Sequence, residues 1–237
     1  MTSLFTAKGV EAKASANKTK VDLTKVYIRL KDGESVRVRL LGITEDTVRE
    51  YMAQGDFNLG IWTQPDISPL LNGEPSPLTV ASRSGIEKFE GLYPKKRYLF
   101  VFGNIDSGEL QVWDASKTQG KAMLDLLTEY ADSIDDVAFT FKRTGTKTET
   151  AYNLIPIMKL KAEDKEKFDA LANVEVPADF LDNVLIPRTV EQQIEMLEKA
   201  GFPVNDFFKT STNTSTNTST ETGTDVEPIE ENETSNF

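Results

Sequence analysis

The sequence predicts a mainly β domain with helices: a small closed barrel of short strands carrying one inserted helix, then a helical extension and an unstructured acidic tail. Three observations carry this prediction. Residues 93–130 read as strand, hairpin turn, strand and helix, since an alternating run over 98–102 meets a turn at 104–108, a second run at 109–113 and then helical spacing. Val137, Phe139 and Phe141 alternate with Ala138, Thr140 and Lys142 in a further strand. Beyond residue 209 the chain is a Thr/Ser/Asn run followed by acidic residues, a composition that cannot bury a core.

A length of 237 residues fits one domain with appendages or two small domains. The chain has no Cys and no His. This excludes disulfides, thiolate and imidazole metal sites, cysteine nucleophiles and Ser–His pairs, so no metal or cofactor is expected and catalysis is disfavoured. The net charge of −11 argues against a nucleic-acid partner until its distribution is read. Residues 1–20 carry +3, 21–160 carry −3, 161–209 carry −5 and 210–237 carry −6. The core is thus close to neutral with clustered cations. A polar start and the lack of a long apolar run predict a soluble, cytoplasmic protein with no membrane partner.

In chain order, residues 1–20 read as a flexible basic arm. Residues 26–43 hold two strand candidates around the turn Lys31-Asp32-Gly33-Glu34. In the second, Val36, Val38 and Leu40 face a core, which leaves Arg37 and Arg39 side by side on the other face at a spacing suited to a phosphate backbone. Residues 46–91 form an irregular insertion rich in Gly and Pro, with short strands expected at 59–63 and 78–83 and with Trp62 or Phe57 available for stacking. Lys95, Lys96 and Arg97 open the central strand. On it Tyr98, Phe100 and Phe102 share one face, and Arg97, Leu99 and Val101 the other.

Ser116 is a helix N-cap signal, followed by Met123, Leu124, Leu126, Leu127 and Ala131 at helical spacing. A polar turn over 143–150 contains Gly145 and Lys147, and residues 152–158 give a last strand whose Pro156 marks an edge. Residues 161–209 are acidic and helical, with Phe168 and Leu171 on one helix. A capping box, Thr189 with Gln192, opens another that stops at Gly201 and Pro203. The tail 210–237 bears Asp225, Glu227, Glu230, Glu231 and Glu233 and ends in Phe237, the form of an interaction tail. Short strands closed into a five-stranded Greek-key barrel, with the helix set between strands, describe an OB-fold over 21–160.

Lys95-Lys-Arg-Tyr-Leu-Phe-Val-Phe, the run from Gly108 through Trp113 to Gln119, Ala138-Phe-Thr-Phe-Lys-Arg-Thr-Gly and Thr150-Ala-Tyr-Asn-Leu-Ile-Pro together resemble the OB-fold single-stranded DNA-binding proteins of tailed bacteriophages. The acidic end closing on Phe is a second similarity. The resemblance implies a non-enzymatic protein that binds single-stranded DNA without sequence preference during phage DNA replication, recombination or repair. It implies contacts at Lys95, Lys96, Arg97 and Tyr98, and a tail that recruits a polymerase, helicase or primase. Alternation adds Arg37, Arg39 and Lys142, and Trp62 is a second stacking candidate after Tyr98. The Cys/His zinc module of some such proteins has no counterpart here. Two other classes stay open: a protein-interaction adaptor or virion component on the same barrel, and a Mg²⁺ enzyme using Asp106 and Asp135-Asp136.

Overall fold

The computed structural model describes residues 22–146 and 149–208. The basic arm 1–20, Lys147 and the tail 210–237, including Phe237, lie outside the described residues. Among the described residues no helix is long and apolar enough to cross a membrane.

Among the described residues the domain is built on one antiparallel sheet of seven strands. These are β1 (Ser35–Leu40), β2 (Val48–Asp56), β3 (Ile61–Pro65), β4 (Lys95–Asn104), β5 (Leu110–Ser116), β6 (Ala138–Thr144) and β7 (Ala151–Ile157). The order is β3-β2-β4-β1-β6-β7, with β5 on the other edge of β4. Along that first edge β2 pairs with residues 95–100 of β4 and β1 with residues 102–104, so β1 and β2 act as one long strand broken at 41–47. Among the described residues no ladder joins β5 to β7, so the sheet is open and not a closed barrel. It nevertheless curls. Trp113 of β5 and Tyr152 of β7 bring their rings within 4.8 Å, and Phe141 stacks on Tyr152 at 5.4 Å.

The concave face holds the main core, with Val38, Leu40, Phe100, Phe102, Trp113, Phe139 and Phe141 buried. Its open mouth is plugged by a helix, α3 (Lys117–Glu129), which buries Met123 and Leu127. Ser116 and Gln119 form the reciprocal cap that starts this helix. Each aromatic pair of this kind adds about 0.5–1.5 kcal/mol beyond burial of its area.

The convex face is covered in two parts. Over β1 and β6 lies α4 (Ala162–Leu171), whose Phe168 and Leu171 pack on Ile105 and Ala138. Gly103 permits this approach, since a Cβ there would sit 3.1 Å from both methyls of Leu171. Over Leu99, Val101 and Val112 lie α1 (Leu23–Val26) and α5 (Phe180–Val184), which bury Leu181 and Val184. Among the described residues no helix lies over the end of this face at Lys95 and Arg97.

The insertion is an ordered subdomain rather than a loose flap. β2 occupies its start, a strand that sequence reasoning passed over because Arg49, Glu50, Gln54 and Asp56 interrupt its apolar pattern. The strand expected at 78–83 is instead a helix, α2 (Pro77–Ser82): Ser76 accepts from Thr79 N–H and Pro77 fits the first helical turn, both stronger local signals than a short apolar alternation. Leu78, Ala81, Phe89 and Leu92 then pack against Leu197 of α6 (Val190–Lys199) and against Phe202. A last short helix, α7 (Val204–Phe207), follows Gly201 and Pro203. The first strand expected before β1 is also absent. Residues 28–30 run as extended chain, with Tyr27 bridging Val112 in parallel.

Candidate nucleic-acid interface

The uncovered end of the sheet opens into a cleft of about 510 Å³ between the extended segment 27–31, the β2–β3 hairpin and the linker 184–188. Six cations line it, Arg29, Lys31, Lys95, Arg97, Arg143 and Arg188, against two carboxylates, Asp56 and Asp114. In a chain of net charge −11 this is a local reversal of sign. Asp114 is already engaged: it lies 2.9 Å from Arg97 Nε and accepts the Tyr51 hydroxyl at 2.9 Å. Asp56 caps the turn at the hairpin tip by accepting from Asn58 N–H. Among the described residues Arg29, Lys31, Lys95, Arg143 and Arg188 make no ion pair with a carboxylate. Five of the six wall cations are therefore without a carboxylate partner among the described residues, an excess of positive charge that attracts a polyanion.

Aromatic groups accompany the charge. Phe57 and Trp62 flank the hairpin tip, 39% and 41% exposed, edge to face with centroids 5.2 Å apart. Gly55 allows the tight crossing of the two strands here, because a Cβ would meet the Thr63 backbone at 2.7 Å. Tyr27 and Tyr51 form the inner wall. Burial, reinforced by the Asp114 charge, pushes both phenols well above their usual range, so they stay neutral. Tyr27 donates to the carbonyl of Val184 at 3.1 Å, tying the linker to the sheet.

The residues expected from the sequence divide into three groups. Lys95, Arg97 and Trp62 meet at this cleft, and Lys96 lies one position along β4 on the other face. Tyr98 does not line it: its ring lies against Gly120 of α3 and its hydroxyl donates to Glu50 at 2.6 Å. Arg37, Arg39 and Lys142 are on the convex face but at its other end, outside the cleft. The expectation that Arg37 and Arg39 stand side by side on an open face suited to a phosphate backbone is corrected by α4. Arg37 is clamped by Asp164 at 2.7 Å and by Asp106, while Arg39 is 3% exposed, stacks 4.2 Å over the Phe168 ring and holds Asp135 at 2.7 Å. Asp106 and Asp135, the carboxylates considered for Mg²⁺, are thus turned onto arginines.

Sequence reasoning missed Arg29, Lys31, Arg143 and Arg188. Arg143 is the neighbour of the lysine that alternation selected. It points the opposite way, and its guanidinium reaches the carbonyl of Leu30 at 2.8 Å. The other three stand on irregular chain, where no periodicity indicates direction. No protein-family model and no curated protein matches this chain.

Proposed function

We propose that this chain binds single-stranded DNA without sequence preference, protecting and organising it during phage DNA replication, recombination or repair, and that it is not an enzyme. The observation that carries the reading is the cleft with six cations and the exposed Phe57–Trp62 pair at its mouth. Lysines and arginines replace counterions along a phosphate backbone, and aromatic faces stack on bases of any identity. A duplex hides its base faces, so the same surface favours single strands.

We also read the sheet as an OB-type arrangement, which fits the same function. Strand, bent partner, strand, helix and two further strands follow one another here, with β1 and β2 together edging β4 and the helix plugging the concave face. Across the open gap between β5 and β7 the rings of Trp113 and Tyr152 meet without a ladder. The acidic tail and its Phe237 fit recruitment of replication or recombination proteins, such as a polymerase, helicase or primase. Host cytoplasm is the compartment this implies.

The test is fluorescence anisotropy of labelled oligo-dT titrated with the full chain and with residues 1–209 at several salt concentrations, beside a duplex of equal length. Binding to the single strand that weakens with salt, at a slope of about −0.7 per phosphate contacted, is expected. Arg29→Glu and Arg188→Glu should each weaken it. Binding indifferent to these variants, or no binding, would return the cleft to a protein-interaction role. Tighter binding by 1–209 at low salt would show the tail competing for the groove.

A further inference from the structure

A second cleft, of about 410 Å³, lies where β4 begins, between β2 and the start of α3. Four cations line it, Lys95, Lys96, Arg97 and Lys117, with Lys96 paired to Glu50 and Arg97 to Asp114 from outside the lining, which among the described residues holds no carboxylate. Tyr93 and Met52 add exposed apolar surface, at 48% and 37%. Lys117 is exposed and makes no ion pair among the described residues. The start of α3 is itself closed by the Ser116–Gln119 cap, so the cations and the ring, not the helix end, give the cleft its chemistry.

The two clefts are not separate. Gly55, Thr63, Lys95 and Arg97 line both, so one trough passes over the open end of the sheet. Side chains alternate along β4, so Lys95 and Arg97 project from the convex face and Lys96 from the concave one. A polyanion following the trough therefore meets cations on both sides of the strand end. Lys95 lies 4.8 Å from the centroid of Tyr93, which sets a cation beside an exposed ring, the pairing of phosphate and base contacts that a single strand requires.

We infer that the bound single strand does not end in the first cleft but turns around the start of β4 into the second, held there by Lys96 and Lys117 and stacked on Tyr93. This rests on the single-strand-binding reading. The first cleft is the primary site, and the second extends the footprint on longer strands.

The experiment is anisotropy of the full chain with oligo-dT of graded length, spanning the roughly 4–16 nucleotides that one OB-type groove covers. Wild type is compared with Lys117→Glu and Tyr93→Ala, both exposed positions whose variants should keep the wild-type melting temperature. Both variants should leave the affinity for the shortest bound oligomer unchanged and remove the gain seen on lengthening. Lys117→Glu should also reduce the salt slope for the long oligomer by about 0.7. Variants that behave as wild type at every length, or that weaken all lengths equally, overturn the inference while leaving the function standing. A wild type that binds no oligomer overturns the function, and this inference with it.

Discussion

Tyr98 and Glu50, opposed across β4 and β2, are joined by a 2.6 Å hydrogen bond, and the same carboxylate holds Lys96 at 2.9 Å. The hydrogen bonds from Tyr98 and then Lys96 keep the Glu50 carboxyl below its usual range, and the bond to Glu50 raises the Tyr98 phenol. At neutral pH the cluster is one anion, one cation and a neutral phenol. Glu50 thus occupies the place a phosphate would take on Lys96. Glu50→Gln should tighten binding to oligo-dT, by up to roughly fivefold since an exposed pair is worth about 0–1 kcal/mol. Weaker binding by this variant would show that Glu50 orients Lys96 rather than competing for it.

Trp62 and Trp113 are the two tryptophans, one 41% and the other 2% exposed. Only Trp62 can report a base arriving at the hairpin tip. Saturation with oligo-dT should quench fluorescence in Trp113→Phe as in wild type, and not in Trp62→Phe. Trp62→Ala should lose about 1–3 kcal/mol of affinity, roughly 5- to 150-fold, with an unchanged salt slope because no phosphate contact is lost. Tyr98→Phe keeps the ring on Gly120 and removes only the hydroxyl that donates to Glu50, so it should bind close to wild type. A large loss for Tyr98→Phe would restore it to the interface.

The Arg37–Asp164 clamp fixes α4 on the sheet, and its signature is acid sensitivity. The hydrogen bond from Arg37 depresses the Asp164 carboxyl, so its contribution is complete above the unfolded carboxylate range, near pH 4, and is lost as pH falls through the depressed folded value. Asp164→Asn should melt below wild type at neutral pH, and the difference should vanish in acid. Its affinity for oligo-dT should match wild type, because α4 lies away from the cleft. A melting difference that persists at pH 2 would mean the side chain acts by shape rather than charge.

Much of this fold is legible in the sequence, and the boundary of legibility is physical. The Ser116 N-cap and the Thr189–Gln192 box are local bonds over three residues and both formed as the sequence reads, with Gln119 completing a box at Ser116 that the sequence reading did not name. The alternation of Phe139 and Phe141 correctly points them to the core. Alternation also placed Arg37 and Arg39 on the opposite face, which is correct. It could not show that a helix 127 residues later in the chain would cover that face and supply Asp164. The cleft is hidden for the same reason: Arg29, Arg143 and Arg188 come from an extended segment, a strand end and a linker that meet only in the folded chain. Lys95, Arg97 and Trp62 were visible because charge and aromatics cluster locally around them.

Gly103 tests whether α4 must lie as close as it does. The residue is buried on β4, and a Cβ would approach Leu171 to 3.1 Å at two methyls and 3.3 Å at the branch carbon. Leu171 is itself 1% exposed beside Phe168, so it has little room to move without shifting the helix. The backbone of Gly103 needs no left-handed conformation, so the added methyl acts through packing alone. Gly103→Ala should cost about 1–3 kcal/mol by overpacking, read as a fall in the urea midpoint. Displacing α4 also strips the ring from Arg39 and the carboxylate from Arg37. A double variant, Gly103→Ala with Leu171→Ala, should recover part of the loss because the methyl then fills the space left by the leucine. A double variant less stable than the sum of the two single changes would show that the methyl strains β4 itself, not the seat of α4.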